Sequence, residues 1–263
     1  MSLNFERIGK PICMNKCMNK DDKQLSKTNP IVCINENSEE TRTSYNDIKL
    51  NKKEQIFQVI GDPTQERYIY YIIGRSGSGK SYFIKQWIQN FYHELYKKRP
   101  IYVFSYLDNN KTLDELKYLK RIKLDMEFLE DDEISIKDFA NSCVIMDDVD
   151  NIKNKAIKRK VDHLLNEILT VGRHHNVSAL ITRHTATNGQ DTKIILAESH
   201  SYVLFPSGVG NRPLKYLLDN YLGLDSKQIK KIKNSKSRYV CIQRTFPLSV
   251  VSEKECYILN NDD

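Results

Sequence analysis

The stretch that decides the fold is Gly74-Arg75-Ser76-Gly77-Ser78-Gly79-Lys80-Ser81, which has the form G-x-x-x-x-G-K-S. The residues before it, 68–73, are an apolar, aromatic and β-branched run that predicts a buried strand. The residues after it carry apolar side chains at helical spacing: Ile84, Ile88, Phe91 and Leu95. Strand, glycine-rich loop and helix in this order are typical of a phosphate-binding loop. The alternative is a Gly/Ser turn that fits the pattern by accident, which would leave both flanks unexplained.

The chemistry of this loop predicts that the chain binds ATP together with Mg²⁺. The glycines let backbone N–H groups turn inward as an anion nest at a helix N-terminus. Lys80 can reach the β- and γ-phosphates, and the Ser81 hydroxyl can coordinate Mg²⁺. We expect nucleotide contacts from the whole loop and from the residue after it: Gly74, Arg75, Ser76, Gly77, Ser78, Gly79, Lys80, Ser81 and Tyr82.

Composition and charge limit the class of protein. Of the 263 residues, 40% are apolar, which is enough for a sizeable core. No apolar run is long enough to span a membrane, and residues 1–7 contain no apolar signal region, so we expect no secretion. The net charge of +7 suits an acidic partner such as nucleic acid, although diffuse lysine is also typical of a solvated surface.

The six cysteines indicate a reducing compartment. They lie scattered along the chain, at Cys13, Cys17, Cys33, Cys143, Cys241 and Cys256. Cys143 and Cys241 fall in predicted strands, where a free thiol behaves as a small apolar residue. Cys13, Cys17 and Cys33 are an incomplete zinc set, because no fourth Cys or His lies near them in the sequence.

The rest of the chain alternates strands and helices. Residues 1–50 are polar and rich in Lys and Asn, which predicts an N-terminal arm or loosely packed extension before an ATPase domain over 51–263. Leu113, Leu116 and Leu119 predict a short helix, and the acidic residues 130–133 predict a surface loop. Further strands are predicted over 55–60, 101–106, 144–146, 177–181, 200–205, 239–242 and 256–259. The pattern predicts an α/β fold with a mainly parallel sheet flanked by helices.

Two carboxylates follow the predicted strand 144–146, and they predict the second half of an active site. An apolar strand that ends in a carboxylate is the other Mg²⁺-binding element of P-loop folds. We expect Asp147 to hold Mg²⁺, directly or through its waters, and Asp148 to polarise the attacking water. The alternative is that the two aspartates cap the following helix, since Asp suits a helix N-terminus.

The next predicted strand ends in Thr182-Arg183-His184. In P-loop ATPases with a strand inserted between the two motifs, a polar residue at this point senses the γ-phosphate. Thr182 is the candidate, with His184 as the second choice. Alternatively, Thr182 is a strand-end hydroxyl that satisfies a loop amide.

Arg173 follows Gly172, which is a stop signal for the predicted helix before it. From a helix C-terminus, Arg173 cannot easily reach the nucleotide of its own subunit. In a ring it would enter the neighbour's site and stabilise transition-state charge, an effect worth roughly 10³–10⁵ in rate. The alternative is a cation that complements the helix dipole.

These motifs together resemble a known family. Residues 74–81, 144–148 and 169–178, in that order, are similar to the poxvirus-type genome-packaging ATPases of nucleocytoplasmic large DNA viruses and virophages. These enzymes belong to the FtsK/HerA superfamily of RecA-like P-loop ATPases. The resemblance covers roughly residues 55–250, and Gly172-Arg173-His174-His175-Asn176 is its most specific part. The wider superfamily usually has Glu where Asp148 stands, and often Gln near Thr182.

The resemblance implies a homo-oligomeric ring, expected to be a hexamer, with double-stranded DNA in its channel and ATP at the subunit interfaces. ATP hydrolysis would drive DNA into a preformed capsid. The protein would be located at the virus assembly site in the host cytoplasm and in the virion. A capsid vertex or membrane component would be a further partner. A DNA pump must bind any sequence, so contacts from Lys and Arg to the DNA phosphate backbone should dominate over contacts to the bases. The densest basic stretches are Lys153–Lys160 and Lys227–Arg238, each of which is equally interpretable as a solvated surface.

Other classes of P-loop protein fit the sequence less well. A kinase or nucleotide-metabolising enzyme would need an arginine-rich lid and an acceptor pocket, and the sequence indicates neither. A GTPase would need an Asn-Lys-x-Asp run after the third strand, which is missing. A nucleotide-dependent switch or assembly factor in virion morphogenesis remains open, although a pure switch does not require Asp148.

Overall fold

The computed structural model describes residues 1–17, 29–131 and 134–259. Part of the predicted arm (18–28) and part of the predicted acidic loop (132–133) therefore lie outside the described residues. The strands are β1 Ser2–Asn4, β2 Lys10–Cys17, β3 Ile31–Asn35, β4 Asp47–Lys49, β5 Gln55–Val59, β6 Ile69–Ile73, β7 Ile101–Ser105, β8 Leu119–Ile122, β9 Cys143–Asp147, β10 Ser178–Arg183, β11 Ser201–Leu204, β12 Val240–Gln243, β13 Leu248–Ser252 and β14 Glu255–Leu259. The helices are α1 Lys80–Trp87, α2 His93–Leu95, α3 Met126–Glu130, α4 Lys155–Thr170, α5 Gln190–Glu198, α6 Asn211–Tyr216 and α7 Ser226–Lys233.

The phosphate loop belongs to a compact unit formed by Glu66–His200 and Gly208–Leu224. Its sheet has the strand order β8-β7-β9-β10-β6, and every neighbouring pair is parallel. The predicted parallel α/β sheet is therefore confirmed. Strand β10 lies between β6, which leads into the phosphate loop, and β9, which ends at Asp147. This order places the ends of β6, β10 and β9 side by side.

The central strands of this sheet are buried on both faces, as their sequences require. All residues of β6, β9 and β10 are buried, because crossover helices cover a parallel sheet and its strands read as continuous apolar runs. Helix α1 continues through a π-helical turn, Ile88–Tyr92, into α2. Its inner face packs an aromatic cluster consisting of Tyr68, Tyr70, Trp87, Phe91 and Tyr92. This cluster fixes the helix that follows the phosphate loop against the sheet.

The second compact unit comprises Met1–Gln65, Ser201–Ser207 and Asp225–Asp263. It contains an antiparallel sheet of order β1-β3-β2-β5 and an antiparallel run of order β11-β12-β13-β14-β4. Where the sequence suggested a loosely packed arm, the described residues therefore form strands. Leu3, Ile12 and Val32 are fully buried, and their apolar runs were too short to stand out from the Lys- and Asn-rich background. The domain boundary at residue 50 stays a prediction.

The prediction of a short helix over Leu113, Leu116 and Leu119 is wrong. Residues 111–118 form turns, and Leu119 begins strand β8. The leucine spacing still has a structural cause, because Leu113 and Leu116 are buried. Among the described residues, no helix has both the length and the apolar content needed to cross a bilayer.

Candidate active site

The phosphate loop has the backbone conformation that its glycines permit. Gly77 has φ +73° and Gly79 has φ +112°, which are left-handed values that glycine adopts without steric cost. Helix α1 begins at Lys80, directly after Gly79. The Ser78 hydroxyl is buried and has no hydrogen-bond partner among the described atoms. An unpartnered polar atom in a loop at a helix N-terminus fits a site that takes an anion.

Lys80 is buried at the base of this loop. Its side chain is 6% exposed, and its Nζ donates to the Gly74 carbonyl oxygen at 2.9 Å. The same nitrogen lies 3.5 Å from Asp148 Oδ1. The lysine thus connects the phosphate loop to the end of strand β9.

Thr182 joins the two aspartates predicted at the end of β9. Its Oγ1 lies 2.9 Å from Asp148 Oδ1 and 3.3 Å from Asp147 Oδ1, and it accepts the Asp148 backbone N–H at 2.8 Å. The hydroxyl therefore satisfies a loop amide and contacts both carboxylates at once. The structure brings Lys80, Asp147, Asp148 and Thr182 together, as the parallel strand order requires.

Asp148 has a left-handed backbone with φ +49°, a conformation in which Asp and Asn are enriched among non-glycine residues. It precedes a short 3₁₀ turn, Val149–Asn151, but makes no side-chain capping bond to it. The cap of α4 is Asn154, whose side chain accepts from Ala156 and Ile157 N–H. The structure therefore contradicts the alternative in which the two aspartates cap the following helix.

Asn110 is a site residue that the sequence did not reveal. Its Nδ2 donates to Ser81 Oγ and to Asp147 Oδ2, each at 3.1 Å. It reaches the site from the loop after β7, and nothing in the sequence distinguishes it from the many other asparagines. These contacts show that Ser81 and Asp147, the two predicted Mg²⁺ ligands, face a common point.

The donor set at this point fits Mg²⁺. Ser81 offers a hydroxyl oxygen and Asp147 a carboxylate oxygen, and Mg²⁺ prefers hard oxygen ligands. Burial, together with the charge of Asp148, raises the pKa of Asp147, against the lowering effect of its hydrogen bonds and of Lys80. A bound cation would offset the cost of a buried carboxylate beside a second one. Among the described residues, no group of three or more His, Cys, Asp and Glu side chains could hold a metal on its own.

His184 and Arg183 extend the polar network at the end of β10. His184 Nε2 lies 3.3 Å from Asp148 Oδ2, so the second sensor candidate also contacts Asp148. Arg183 is buried, with its guanidinium 3.7 Å from Asp150 Oδ1. The remaining predicted nucleotide-contacting residues Arg75, Ser76 and Tyr82 are exposed.

Arg173 lies apart from this group. It is exposed in a 3₁₀ turn, Gly172–His175, after the 16-residue helix α4, which starts near Asp148 and measures about 24 Å at 1.5 Å per residue. Arg67 holds that turn by donating to the Ile168, Leu169 and Val177 carbonyls. Strand β10 starts beyond it, so Arg173 lies at the edge of the parallel sheet opposite the phosphate loop. The structure therefore does not bring Arg173 to the phosphate loop of its own chain.

Comparison with known proteins shows which family the chain belongs to. No protein-family model matches it. Protein V3 of Sputnik virophage is 37% identical over 190 residues, which cover 71% of this chain and 75% of that protein. The chain belongs to the same family as the virophage protein V3. The predicted relation to virophage proteins is confirmed by this match.

Solved structures of viral ATPases are similar to this chain. B204, the DNA-packaging ATPase from Sulfolobus turreted icosahedral virus, has a TM-score of 0.50 at 16% identity, over 72% of this chain and 98% of B204. B204 of Sulfolobus turreted icosahedral virus 2, in complex with ATP-γ-S, has a TM-score of 0.46 at 15% identity, over 72% of this chain and 98% of that one. The likeness to the first of these structures shows the fold: this chain has the α/β fold of a P-loop NTPase, as its sequence resemblance indicated.

Proposed function

We propose that this protein is an ATP-hydrolysing double-stranded DNA translocase that packages a viral genome into a preformed capsid. The observation that carries the hydrolytic part is the position of Asp148. Its carboxylate lies within 3.5 Å of Lys80, Thr182 and His184 atoms, while Asp147 is directed to Ser81 through Asn110. A nucleotide-binding switch needs the first carboxylate for Mg²⁺ but has no use for the second.

Each residue of the site has a role in this proposal. Lys80 leaves the Gly74 carbonyl and Asp148 for the β- and γ-phosphates, and the loop N–H groups hold the same phosphates. Ser81 and Asp147 hold Mg²⁺, which neutralises charge on the phosphate oxygens when it is bound. Asp148, released from Lys80, accepts a proton from the attacking water, and Thr182 keeps its carboxylate oriented.

DNA contact is proposed for the exposed cations of the two basic stretches. Some of their members have partners within the chain: Lys158 pairs with Asp162, Lys160 donates to the Leu129 and Asp131 carbonyls, and Lys231 lies over the Tyr257 ring. The exposed cations without such a contact are Lys153, Lys155, Arg159, Lys227, Lys230, Lys236 and Arg238. Contacts from these side chains to the phosphate backbone would bind DNA of any sequence.

A ring explains the distance between Arg173 and the phosphate loop of its own chain. We place Arg173 in the nucleotide site of the neighbouring subunit, in a hexamer that encloses DNA. An exposed guanidinium on a turn fixed by the buried Arg67 is suited to this role, because the turn is held while the side chain is accessible. The assembly would act in the host cytoplasm, docked to a capsid vertex or membrane component, and would remain in the virion.

The proposal is tested by steady-state ATP hydrolysis with and without double-stranded DNA of mixed sequence. We expect DNA to raise kcat of the wild-type chain, and Lys80→Ala to abolish hydrolysis under both conditions. The stimulation should decline steeply with added salt, since it depends on phosphate contacts. Hydrolysis that DNA leaves unchanged at low salt would favour the nucleotide-dependent assembly factor instead.

A further inference from the structure

The side chain of Asn110 lies where a cation would be bound. Its Nδ2 is 3.1 Å from Ser81 Oγ and 3.1 Å from Asp147 Oδ2, the two oxygens assigned to Mg²⁺. An amide N–H₂ group can only donate, so it cannot be a ligand of a cation. Mg²⁺ binds its oxygen ligands at about 2.0–2.1 Å and tolerates little departure from octahedral geometry. The amide nitrogen and a cation bound to both oxygens therefore compete for the same space.

The orientation of this amide is fixed by its own loop. Its Oδ1 accepts the backbone N–H groups of Thr112 at 3.1 Å and Leu113 at 3.2 Å. The Asn110 backbone N–H donates to Asp114 Oδ2 at 2.7 Å, and Asp114 is paired with Arg121. Because the oxygen is used to cap the turn, the nitrogen must face Ser81 and Asp147. A flip of the amide would break both capping bonds.

We propose that Asn110 is a latch: it holds the Mg²⁺ position in the nucleotide-free protein and must withdraw when the metal–nucleotide complex binds. This inference rests on the proposed function of the same site. Since Asn110 caps its own turn, its withdrawal displaces the loop that carries it. That loop also carries Tyr106 and Leu107, which are 40% and 55% exposed. Metal binding is thereby transmitted to an exposed apolar surface beside the site.

The latch predicts that divalent ions alone bind weakly and that removing the amide strengthens their binding. Asn110→Ser is the variant of choice, because a serine hydroxyl can still accept from the N–H two residues on but cannot reach Ser81 and Asp147. Asn110→Asp keeps the capping oxygen and replaces the donor by an acceptor. Asn109→Ser is the matched control, since Asn109 is the exposed neighbouring asparagine.

The measurement is Mn²⁺ binding to the full-length protein without nucleotide, followed by electron paramagnetic resonance. Both Asn110 variants should bind Mn²⁺ about tenfold more tightly than wild type, within the range of changes caused by groups that contact metal ligands. Asn109→Ser should match wild type. Unchanged or weaker Mn²⁺ binding in Asn110→Ser overturns the latch. Because the carboxylate of Asn110→Asp is itself a ligand for the cation, Asn110→Ala decides the matter if Asn110→Ser does not fold.

Hydrogen exchange of residues 106–113 gives a second readout. In wild type, exchange should rise on addition of ATP-γ-S with Mg²⁺ but not with ATP-γ-S and a chelator, whereas in Asn110→Ser it should be high already. Failure of the proposed function has a different signature: the wild-type chain would not bind ATP-γ-S with Mg²⁺ at all. If wild type binds it and the loop exchange is the same in all states, the latch alone is refuted.

Discussion

Asp148→Asn is expected to lower kcat for ATP hydrolysis by about 10²–10⁴-fold, the usual contribution of a general base. The amide is neutral and cannot take a proton from the attacking water. Asn tolerates the left-handed backbone that Asp148 adopts, so the fold should be kept. Affinity for ATP with Mg²⁺ should change little, because Asp147 and Ser81 remain in place.

Single-turnover hydrolysis and equilibrium binding of ATP-γ-S separate the two effects. The matched control is Asp150→Asn, which removes an exposed carboxylate two residues further on that pairs with Arg183. Near-normal kcat is expected for this control. If Asp148→Asn weakens nucleotide binding but leaves kcat unchanged at saturating ATP, Asp148 contributes to binding and is not the general base.

Arg173→Ala is expected to reduce DNA-stimulated hydrolysis by roughly 10³–10⁵-fold, the effect of an arginine that stabilises transition-state charge. ATP binding should be kept, because Arg173 lies at the sheet edge opposite its own phosphate loop. Arg212→Ala is the control, since Arg212 is an exposed arginine on α6, outside both basic stretches. This change should alter DNA affinity at most modestly and leave kcat near the wild-type value.

Mixing two inactive variants tests whether Arg173 acts between subunits. In an oligomer of Arg173→Ala and Asp148→Asn chains, some interfaces combine an intact Asp148 with a neighbour's intact Arg173, so activity should return. Each variant alone should stay inactive at the same total concentration. If the mixture is as inactive as its components, or if Arg173→Ala alone hydrolyses ATP normally, Arg173 merely complements the dipole of α4.

The central parts of this site could be predicted from the sequence because each depends on a local pattern. The phosphate loop has fixed spacing between a strand and a helix, and Asp147 directly ends an apolar run. Parallel pairing brings the ends of β9, β10 and β6 together, so Thr182, predicted from the strand placement of P-loop ATPases, lies beside both aspartates. Its role as a γ-phosphate sensor stays a prediction. Residues at the ends of central parallel strands are thus the easiest to assign.

Asn110 and the N-terminal strands could not be predicted in the same way. Asn110 reaches the site from a loop of turns, where position depends on tertiary contacts such as the Asp114–Arg121 pair. Strand β4 is a short antiparallel segment whose partner, β14, lies far along the chain, and β1, β2 and β3 pair antiparallel with one another and with β5. Their apolar residues gain meaning only once those partners are known.

The most direct test of the central claim is movement along DNA, measured as ATP-driven displacement of a third strand bound to a duplex. The wild-type chain should release the third strand with ATP but not with ATP-γ-S, on any flanking sequence. Lys80→Ala and Asp148→Asn should release none. Efficient DNA-stimulated ATP hydrolysis without any displacement would contradict the translocase, and would leave a DNA-dependent ATPase that acts in assembly without pumping.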